Sequence, residues 1–366
     1  QEVEGIRTDV RVCNLSLLNT DWYIDQMLRK AYDSDPLPFT LPETMYKNGS
    51  HDVTYLLEEQ NPNKEFIEVK AIFDRLKKNE KIFQVNTGRG MADYFPTKTF
   101  RITVDPAVAV SSGTVPAELA GQVTDLEWRI SANALTKNYL MMLDLLAHNN
   151  WQRPVYYVST TSRDAYIGLD NYLRLEGFAY RLVPIRQTVD KNETGGVNTD
   201  AMYDNLMNRF EFNINKPGLL VSEDIYRMTV TMRSTYSRLI DALIAENKPA
   251  RAVEVCDRIQ TLIPGKKVPY NYFNLSVADG YLKAGEADKG REILQELLRI
   301  QEDQLGYFFS FGDKHLPLLE MDIQQGVAVL SAVAQVAESN GQDDLAEEAD
   351  ASLNRFYELY LGRVGN

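Results

Sequence analysis

The feature that most restricts the fold is an internal repeat in the last third of the chain. The segments YSRLIDALIAENKPARAVEVCDRIQTLIP and FNLSVADGYLKAGEADKGREILQELLRIQ superpose when one is shifted by 38 residues. The shift aligns small or apolar residues in pairs: Leu239 with Val277, Leu243 with Tyr281, Ala252 with Gly290, Val255 with Ile293 and Ile259 with Leu297. Such a repeat predicts helix pairs that bury their apolar rows against the next pair.

A third copy, VLSAVAQVAESNGQDDLAEEADASLNRFYEL, follows after a further shift of 56 residues. It places Val333, Gly341, Ala346 and Leu353 in the matching roles. The pattern in each copy predicts a helix, a tight turn at Asn247, Gly285 or Gly341, and a second helix that begins with a small residue. A small residue there lets two antiparallel helices approach closely.

The repeat resembles the tetratricopeptide repeat. The residues with that motif's spacing are Ala252, Cys256, Ile259 and Pro264 in the first copy, and Ala278, Tyr281 and Gly290 in the second. Two departures stand out: the period is 38 and then 56 residues rather than about 34, and Asp350 occupies a normally apolar place. We therefore expect tetratricopeptide-like helical hairpins over residues 222–366.

Residues 1–215 have a different pattern, in which strand-like and helix-like segments alternate. This alternation favours an α/β domain with a mostly parallel, Rossmann-like sheet. The predicted strands are VRVCNLSLL (10–18), KIFQV (81–85), FRITVD (100–105), PVYYVST (154–160) and FAYRLVPI (178–185). The predicted helices are WYIDQMLRKAY, FIEVKAIFDRLKKN, LEWRISANALTKNYLMMLDLLAHNN and GLDNYLRLEG.

Two segments of this part are predicted to lie outside its regular elements. The proline-rich segment DSDPLPFTLPETMYKNGSHD is expected to be a surface excursion. At the N terminus, QEVE looks like the tail of a helix whose beginning is absent, so the α/β domain is expected to be truncated there.

Composition excludes several classes of protein. The net charge of −13 and the sequence pI of about 4.9 argue against a nucleic-acid-binding or anionic-membrane surface, since both need clustered Lys and Arg. No stretch approaches the roughly 18–20 apolar residues that cross a bilayer, so we expect a water-soluble chain. Cys13 and Cys256 show no disulfide framework and are expected to be buried free thiols.

Common catalytic motifs are missing from the sequence. It contains no GxSxG nucleophile elbow, no glycine-rich phosphate loop between a strand and a helix, and no metal-ligand spacing among its three histidines. We therefore predict no cofactor, no metal and a non-catalytic role for this chain. An independent sugar- or nucleotide-binding enzyme and a free-standing repeat scaffold remain the alternatives.

The first candidate site lies at the end of the first predicted strand, with Asn19, Asp21 and Trp22. Ligands of parallel sheets bind outside the carboxyl ends of the strands. The alternative is that Asn19 or Asp21 only caps the following helix.

The second candidate site is residues 149–185, which combine aromatic rings with carboxylates and arginines. Aromatic faces stack on the CH groups of a sugar, while charged side chains bind its hydroxyls. The alternative is that the aromatic residues are core and the glycines are turns. The candidate contacts are Trp151, Arg153, Tyr166, Asp170, Tyr172, Glu176 and Arg181.

The same stretch carries a family resemblance. NNWQRPVYYVSTT followed by YIGLDNYLRLEGFAYRLVPI resembles the signature of a large family of bacterial polytopic membrane proteins. The membrane half of that family is similar to protein O-mannosyltransferases. The opening QEVEGIRTDVRVCNLSLLNTDWYIDQM, the segment ITVDPAVAVSSGTVPAE, and the run from YDNLMNRFEF to RMTVTMRSTYSRLIDALIAENKPARAVEV resemble the same family.

The resemblance implies a place for this chain in a larger protein. A bundle of transmembrane helices comes first in the family, and a soluble α/β segment with helical repeats follows on the extracytoplasmic, periplasmic side. The catalytic acid and the lipid-phosphate sugar donor site would then lie in the membrane half. The expected partners are that membrane half and an acceptor protein or glycan.

Overall fold

The computed structural model describes residues 4–88, 90–189 and 193–363. The chain divides into two compact units, one formed by Gln1–Leu175 with Ala179–Gly196 and the other by Glu176–Phe178 with Val197–Asn366. The first unit mixes strands and helices, and the second is mainly helical. The expected layout, a mixed part followed by an all-helical part, is confirmed. Of the predicted helix tail QEVE, Gln1–Val3 lie outside the described residues, and Glu4 lies in a turn.

The described strands of the chain are β1 (Val53–Leu56), β2 (Ile67–Glu68), β3 (Gln84–Asn86), β4 (Met91–Phe95), β5 (Thr99–Ile102), β6 (Leu126–Arg129), β7 (Ala134–Thr136), β8 (Tyr156–Val158), β9 (Leu173–Leu175), β10 (Ala179–Leu182) and β11 (Gly196–Val197). They form three small sheets, with strand orders β3-β4-β1-β7, β2-β5-β6 and β11-β9-β10-β8.

The prediction of a mostly parallel sheet is wrong. β1 pairs with β4, and β2 with β5, in parallel. The pairs β1–β7, β3–β4, β5–β6, β8–β10 and β9–β10 are antiparallel. Short connections explain several of the antiparallel pairs, because strands joined by only a few residues, such as β3 and β4, can pair only as antiparallel hairpins.

The helices of this unit are α1 (Asp21–Met27), α2 (Val69–Lys78), α3 (Pro106–Ser111) and α4 (Lys137–His148). α4 is buried along most of its length, with Leu140, Met141 and Leu143 fully inaccessible. It packs against α2, whose buried face includes Phe73. The core of the first unit therefore lies between these two helices and the strands beside them.

Two helix predictions are wrong. The first half of LEWRISANALTKNYLMMLDLLAHNN forms β6 and β7, and only the second half forms α4. Leu126, Trp128 and Ile130 are buried in alternation, which is the pattern of a strand. GLDNYLRLEG forms a single turn of 3-10 helix, Asp170–Tyr172, and then β9.

The predicted strand over residues 10–18 is also wrong. Residues 10–16 are irregular and a short 3-10 helix covers Leu17–Asn19. The segment is held by Tyr23, whose hydroxyl accepts a bond from the Asn14 N–H at 2.8 Å. As a result Cys13 is exposed, whereas Cys256 is buried as predicted.

The proline-rich segment is not a surface excursion. Leu41, Met45 and Tyr46 are buried within it. The fully buried carboxylate of Asp144 on α4 accepts bonds from the Thr40 N–H at 2.6 Å and the Thr40 hydroxyl at 2.7 Å. A buried carboxylate needs such donors, so α4 fixes this segment in the core.

The second unit contains α5 (Thr199–Asp204), α6 (Glu223–Ala245), α7 (Pro249–Leu262), α8 (Asn274–Lys283), α9 (Ala287–Phe309), α10 (Glu320–Ser339) and α11 (Asp343–Arg363). The last six form three consecutive hairpins, α6–α7, α8–α9 and α10–α11. All ten residues that the 38-residue shift aligns are buried. None of the described helices combines the length and the hydropathy of a membrane-spanning segment.

The turns of the three hairpins have the same geometry. Asn247, Gly285 and Gly341, the predicted turn residues, have left-handed φ angles of 55°, 89° and 69°. In each turn the N–H of the next residue bonds the carbonyl five positions earlier, at 2.8–2.9 Å: Lys248 to Leu243, Glu286 to Tyr281 and Gln342 to Ala337. This is the Schellman motif, which ends a helix and reverses the chain.

The helical unit begins earlier than the predicted limit of residue 222. α5 is tied to the first hairpin by the Thr199 hydroxyl, which donates to Glu246 at 2.8 Å, and by Asp200, which pairs with Arg251 at 2.6 Å. These contacts explain why the compact units divide at Gly196 and Val197.

Candidate functional site

A cluster of polar side chains surrounds the start of α4, which we call the α1–α4 cluster: Asn19, Asp21, Asp52, Lys137 and Asn138. The Lys137 ammonium group lies 3.1 Å from Asp21 Oδ1 and 2.7 Å from Asp52 Oδ1. The side-chain amide oxygen of Asn19 (Oδ1) accepts a bond from the Asn138 backbone N–H at 3.0 Å. Residues far apart in the sequence thus meet at the first turn of α4.

The sheet brings these residues together. β7 ends at Thr136, which pairs with Val53 at the start of β1. The next residues outward are Lys137 and Asp52, and the Lys137 N–H donates to the Asp52 carbonyl at 3.1 Å. The end of an antiparallel ladder therefore fixes both charged groups.

Burial within the cluster is uneven. The side chain of Lys137 is 3% exposed, that of Asp21 38% and that of Asp52 59%. Burial raises the pKa of Asp21, but Lys137 and the Asn48 N–H outweigh it and hold that pKa below its ordinary value. The cluster is a buried cation with two carboxylates that remain open to solvent.

A second ion pair lies one turn further along α1. Lys47 bonds Asp25 at 2.9 Å, and the Tyr46 hydroxyl donates to the same carboxylate at 2.9 Å. Lys47 and then Tyr46 hold the pKa of Asp25 below its ordinary value, although burial opposes them. Burial and the Asp25 carboxylate raise the pKa of Tyr46 to about 12.

Trp22 lies between these two ion pairs in the sequence of α1. Trp22 is 59% exposed, and its ring forms a T-shaped pair with the ring of Tyr23, with the centroids 5.6 Å apart. The other two tryptophans, Trp128 and Trp151, are buried. An exposed indole ring on a helix whose carboxylates are fixed by ion pairs can stack on an apolar ligand face while polar groups bind the ligand's hydroxyls.

Comparison with known proteins identifies the family. Residues 1–201 match the family described as TMEM260-associated domain 2. The match covers 201 of the 366 residues. The chain belongs to this family. The match agrees with the expected origin in a family of membrane proteins. No curated protein and no solved structure matches the chain.

The first candidate site falls within the TMEM260-associated domain, and the structure brings two of its three residues together. Asn19 and Asp21 both bind the first turn of α4, and Trp22 is exposed beside them. No pattern in the sequence pointed to Lys137, Asp52 or Asn138 as their partners. Only the pairing of β7 with β1 places those residues there.

The second candidate site begins with two residues that hold neighbouring loops. Trp151 is buried, and its carbonyl accepts a bond from the Thr114 hydroxyl at 3.4 Å. Arg153 donates to the Asp35 carbonyl and to the Ser34 hydroxyl, both at 3.0 Å. Both residues therefore hold neighbouring loops of the protein in place.

The rings of the second site are also packed into the core. Tyr166 contacts Tyr157 and Tyr180 edge-on, at centroid distances of 5.4 and 5.9 Å. The Tyr172 hydroxyl accepts a bond from the Glu127 N–H at 2.9 Å. Neither ring presents an open face, since each is 2% exposed.

The charged residues of the second site each have protein partners. Asp170 pairs with Arg163 at 2.9 Å, and Arg181 donates to the Gly113 carbonyl at 2.7 Å. Glu176 belongs to the helical unit, where it accepts a bond from Asn198 at 2.9 Å. Within residues 4–88, 90–189 and 193–363, no three His, Cys, Asp or Glu side chains come together as a metal-binding group.

Proposed function

We propose that this chain is a non-catalytic, extracytoplasmic region of a membrane-bound, glycosyltransferase-like protein, and that its first unit binds a glycan at the α1–α4 cluster and Trp22. The family match supports the link to a membrane protein. The periplasmic side and the relation to O-mannosyltransferases are inferred from the resemblance in sequence. The membrane half of the same protein is the first partner of this region.

The observation that carries the glycan proposal is the exposed ring of Trp22 on the helix that bears Asp21. Sugar recognition combines an aromatic platform for CH groups with fixed polar groups for hydroxyls. Lys137 and the Asn48 N–H fix Asp21 from two sides, at 3.1 Å each, so its carboxylate is already oriented when a ligand arrives. A fixed acceptor loses less conformational entropy on binding than a mobile one.

The second part of the proposal concerns the helical unit, which we infer to be a tetratricopeptide-like scaffold that holds an acceptor protein or a partner subunit. Three hairpins with the same Schellman turn and aligned buried residues support this inference. Stacked hairpins of this kind present extended surfaces for protein ligands.

Calorimetric titration with methyl mannosides and manno-oligosaccharides tests the glycan site. We expect binding to the wild-type chain and at least a tenfold loss in Trp22→Ala. Tyr272→Ala is the matched control, because Tyr272 is 55% exposed and lies in the helical unit. Equal affinity in both variants would contradict the proposal, as would turnover of an activated sugar by the chain alone, which would favour an enzyme.

The membrane link has a separate test. An antibody raised against this chain is applied to fractionated source cells, with protease added to spheroplasts. We expect a band heavier than 41.7 kDa in the membrane fraction that the protease digests. A band of 41.7 kDa in the soluble fraction would favour a free-standing scaffold.

A further inference from the structure

The last hairpin has an open groove between α10 and α11. Its volume is about 380 Å³, and its lining includes Val327, Ala328, Ser331, Leu353, Tyr357 and Tyr360. Ala328 and Tyr357 are exposed, the latter at 50%. The groove therefore exposes apolar surface. The two preceding hairpins bury the corresponding surface beneath the next helix.

The two preceding hairpins each receive a helix in the corresponding groove. α8 packs on α6 and α7, where a Cβ added to Gly280 would lie 2.4 Å from Ile240 and 3.3 Å from Cys256. α10 packs on α8 and α9, where a Cβ on Gly326 would lie 2.9 Å from Leu305. A helix with a small residue at the crossing fills each groove.

The repeat shows which residues of the third groove correspond to covered ones. Successive shifts of 38 and 56 residues align Ser237 with Ser331, and Cys256 with Asp350. In the first hairpin both are covered: Ser237 donates to the Phe273 carbonyl at 2.8 Å, and Cys256 is fully buried against α8. In the third, Ser331 lines the open groove and Asp350 is exposed.

Charge distinguishes the third groove from the other two. The α10–α11 hairpin carries nine carboxylates and two arginines. Four of the carboxylates share the groove face by helical spacing: Glu320, Glu338, Glu347 and Asp350. Neither arginine neutralises them, because Arg355 lies over the Phe356 ring at 4.2 Å and Arg363 donates to the Phe309 carbonyl at 2.6 Å.

We propose that the groove between α10 and α11 binds a basic amphipathic helix of a partner protein. The helix would occupy the position on this hairpin that α8 occupies on the first, with a small residue at the crossing and Lys or Arg facing Asp350. This is helix-in-groove recognition, in which an apolar stripe gives contact area and the flanking charges select the partner. The inference deepens the protein-binding part of the proposed function and is independent of the glycan site.

The probe is a synthetic helical peptide of about 20 residues, long enough to be helical in water. It carries an Ala and Leu stripe with Lys on both flanks, and its control carries Glu in place of every Lys. Fluorescence anisotropy should show at least tenfold tighter binding of the Lys peptide. That difference should shrink at high salt, because salt screens exposed charges. Equal binding of the two peptides, or binding of neither, would overturn the proposal.

Matched variants locate the binding surface. Ala328→Arg should abolish binding of the Lys peptide, while Ala351→Arg, at an exposed position of α11 outside the groove lining, should not. Asp350→Asn should weaken binding at least threefold, and Glu348→Gln, also exposed on α11, should leave it unchanged. Equal effects of the paired variants would overturn the proposal.

Two further measurements distinguish helix binding in this groove from glycan binding and from self-association. Trp22→Ala should bind the Lys peptide as the wild type does, so loss of glycan binding and loss of helix binding are distinguishable. Sedimentation equilibrium of the chain alone tests a second copy as the occupant. A dimer that Ala328→Arg dissociates would overturn the assignment to a partner protein.

Discussion

The ammonium group of Lys137 lies 3.1 Å from the carboxylate of Asp21, across 116 residues of sequence. The lysine is buried, whereas Asp21 and the second carboxylate, Asp52, remain partly exposed. Because the cation has lost its water and the anions have not, the two ends of this interaction should respond differently to substitution.

We expect Lys137→Met to cost about 1–2 kcal/mol, because the freed carboxylates regain water. Asp21→Ala combined with Asp52→Ala should cost about 3–5 kcal/mol, because it leaves a buried ammonium group without a counter-charge. Urea unfolding of the two variants measures the difference. A larger loss in Lys137→Met would contradict this account of the cluster.

The helical unit could be predicted from the sequence because its determinants are local. The apolar spacing of each hairpin and a turn residue that tolerates a left-handed φ are both visible in one repeat, and three copies reinforce them. The turn positions Asn247, Gly285 and Gly341 were predicted correctly for this reason. Their geometry needs no information from distant parts of the chain.

The mixed unit could not be predicted to the same degree, because its short segments fit more than one pattern. Leu126, Trp128 and Ile130 alternate as in a strand, but no Gly or Pro separates them from the helical run of α4. The sequence marked Asn19 and Asp21 as polar residues near a helix start. It could not show that Lys137 would be their neighbour, since this depends on the pairing of β7 with β1.

The crossing of α8 over the first hairpin should depend on Gly280. Gly280→Ala places a Cβ within 2.4 Å of the Ile240 side chain, and overpacking of this kind costs about 1–3 kcal/mol. Gly306→Ala is the control, because Gly306 is in α9 with nothing within 4 Å of an added Cβ. That variant should gain about 0.5–1 kcal/mol from helix propensity.

Thermal unfolding followed by circular dichroism measures both glycine variants. The double variant Ile240→Ala with Gly280→Ala should lose less stability than the sum of the two single variants, since Ile240→Ala removes the atom in conflict. If Gly280→Ala and Gly306→Ala changed the melting temperature in the same direction, the close approach at this crossing would be refuted.

The turn residues should be interchangeable between hairpins. Gly341→Asn should cost little, because Asn247 adopts the same left-handed φ in the first hairpin. Gly341→Val should cost more, about 1–2 kcal/mol, because a β-branched side chain is strained at positive φ. The free energy of unfolding in urea checks the order, and a Val variant as stable as the Asn variant would contradict it.

Alkaline pH should destabilise both units. Burial raises the pKa of Tyr46, Tyr166 and Tyr236 to about 12, from an ordinary value of 10.0. Between those values the unfolded chain releases phenolic protons that the folded chain keeps. The stabilisation is therefore complete below pH 10 and is lost as the pH rises toward 12.

The variant Tyr166→Phe tests this pH dependence, because it removes one such group while keeping the buried ring. It should lower stability at neutral pH by about 1 kcal/mol, through loss of the hydrogen bond to the Thr161 carbonyl. Its stability should then fall less between pH 10 and 12 than that of the wild type, as measured by urea unfolding across that range. An equal fall in both proteins would show that Tyr166 ionises alike in the folded and unfolded states.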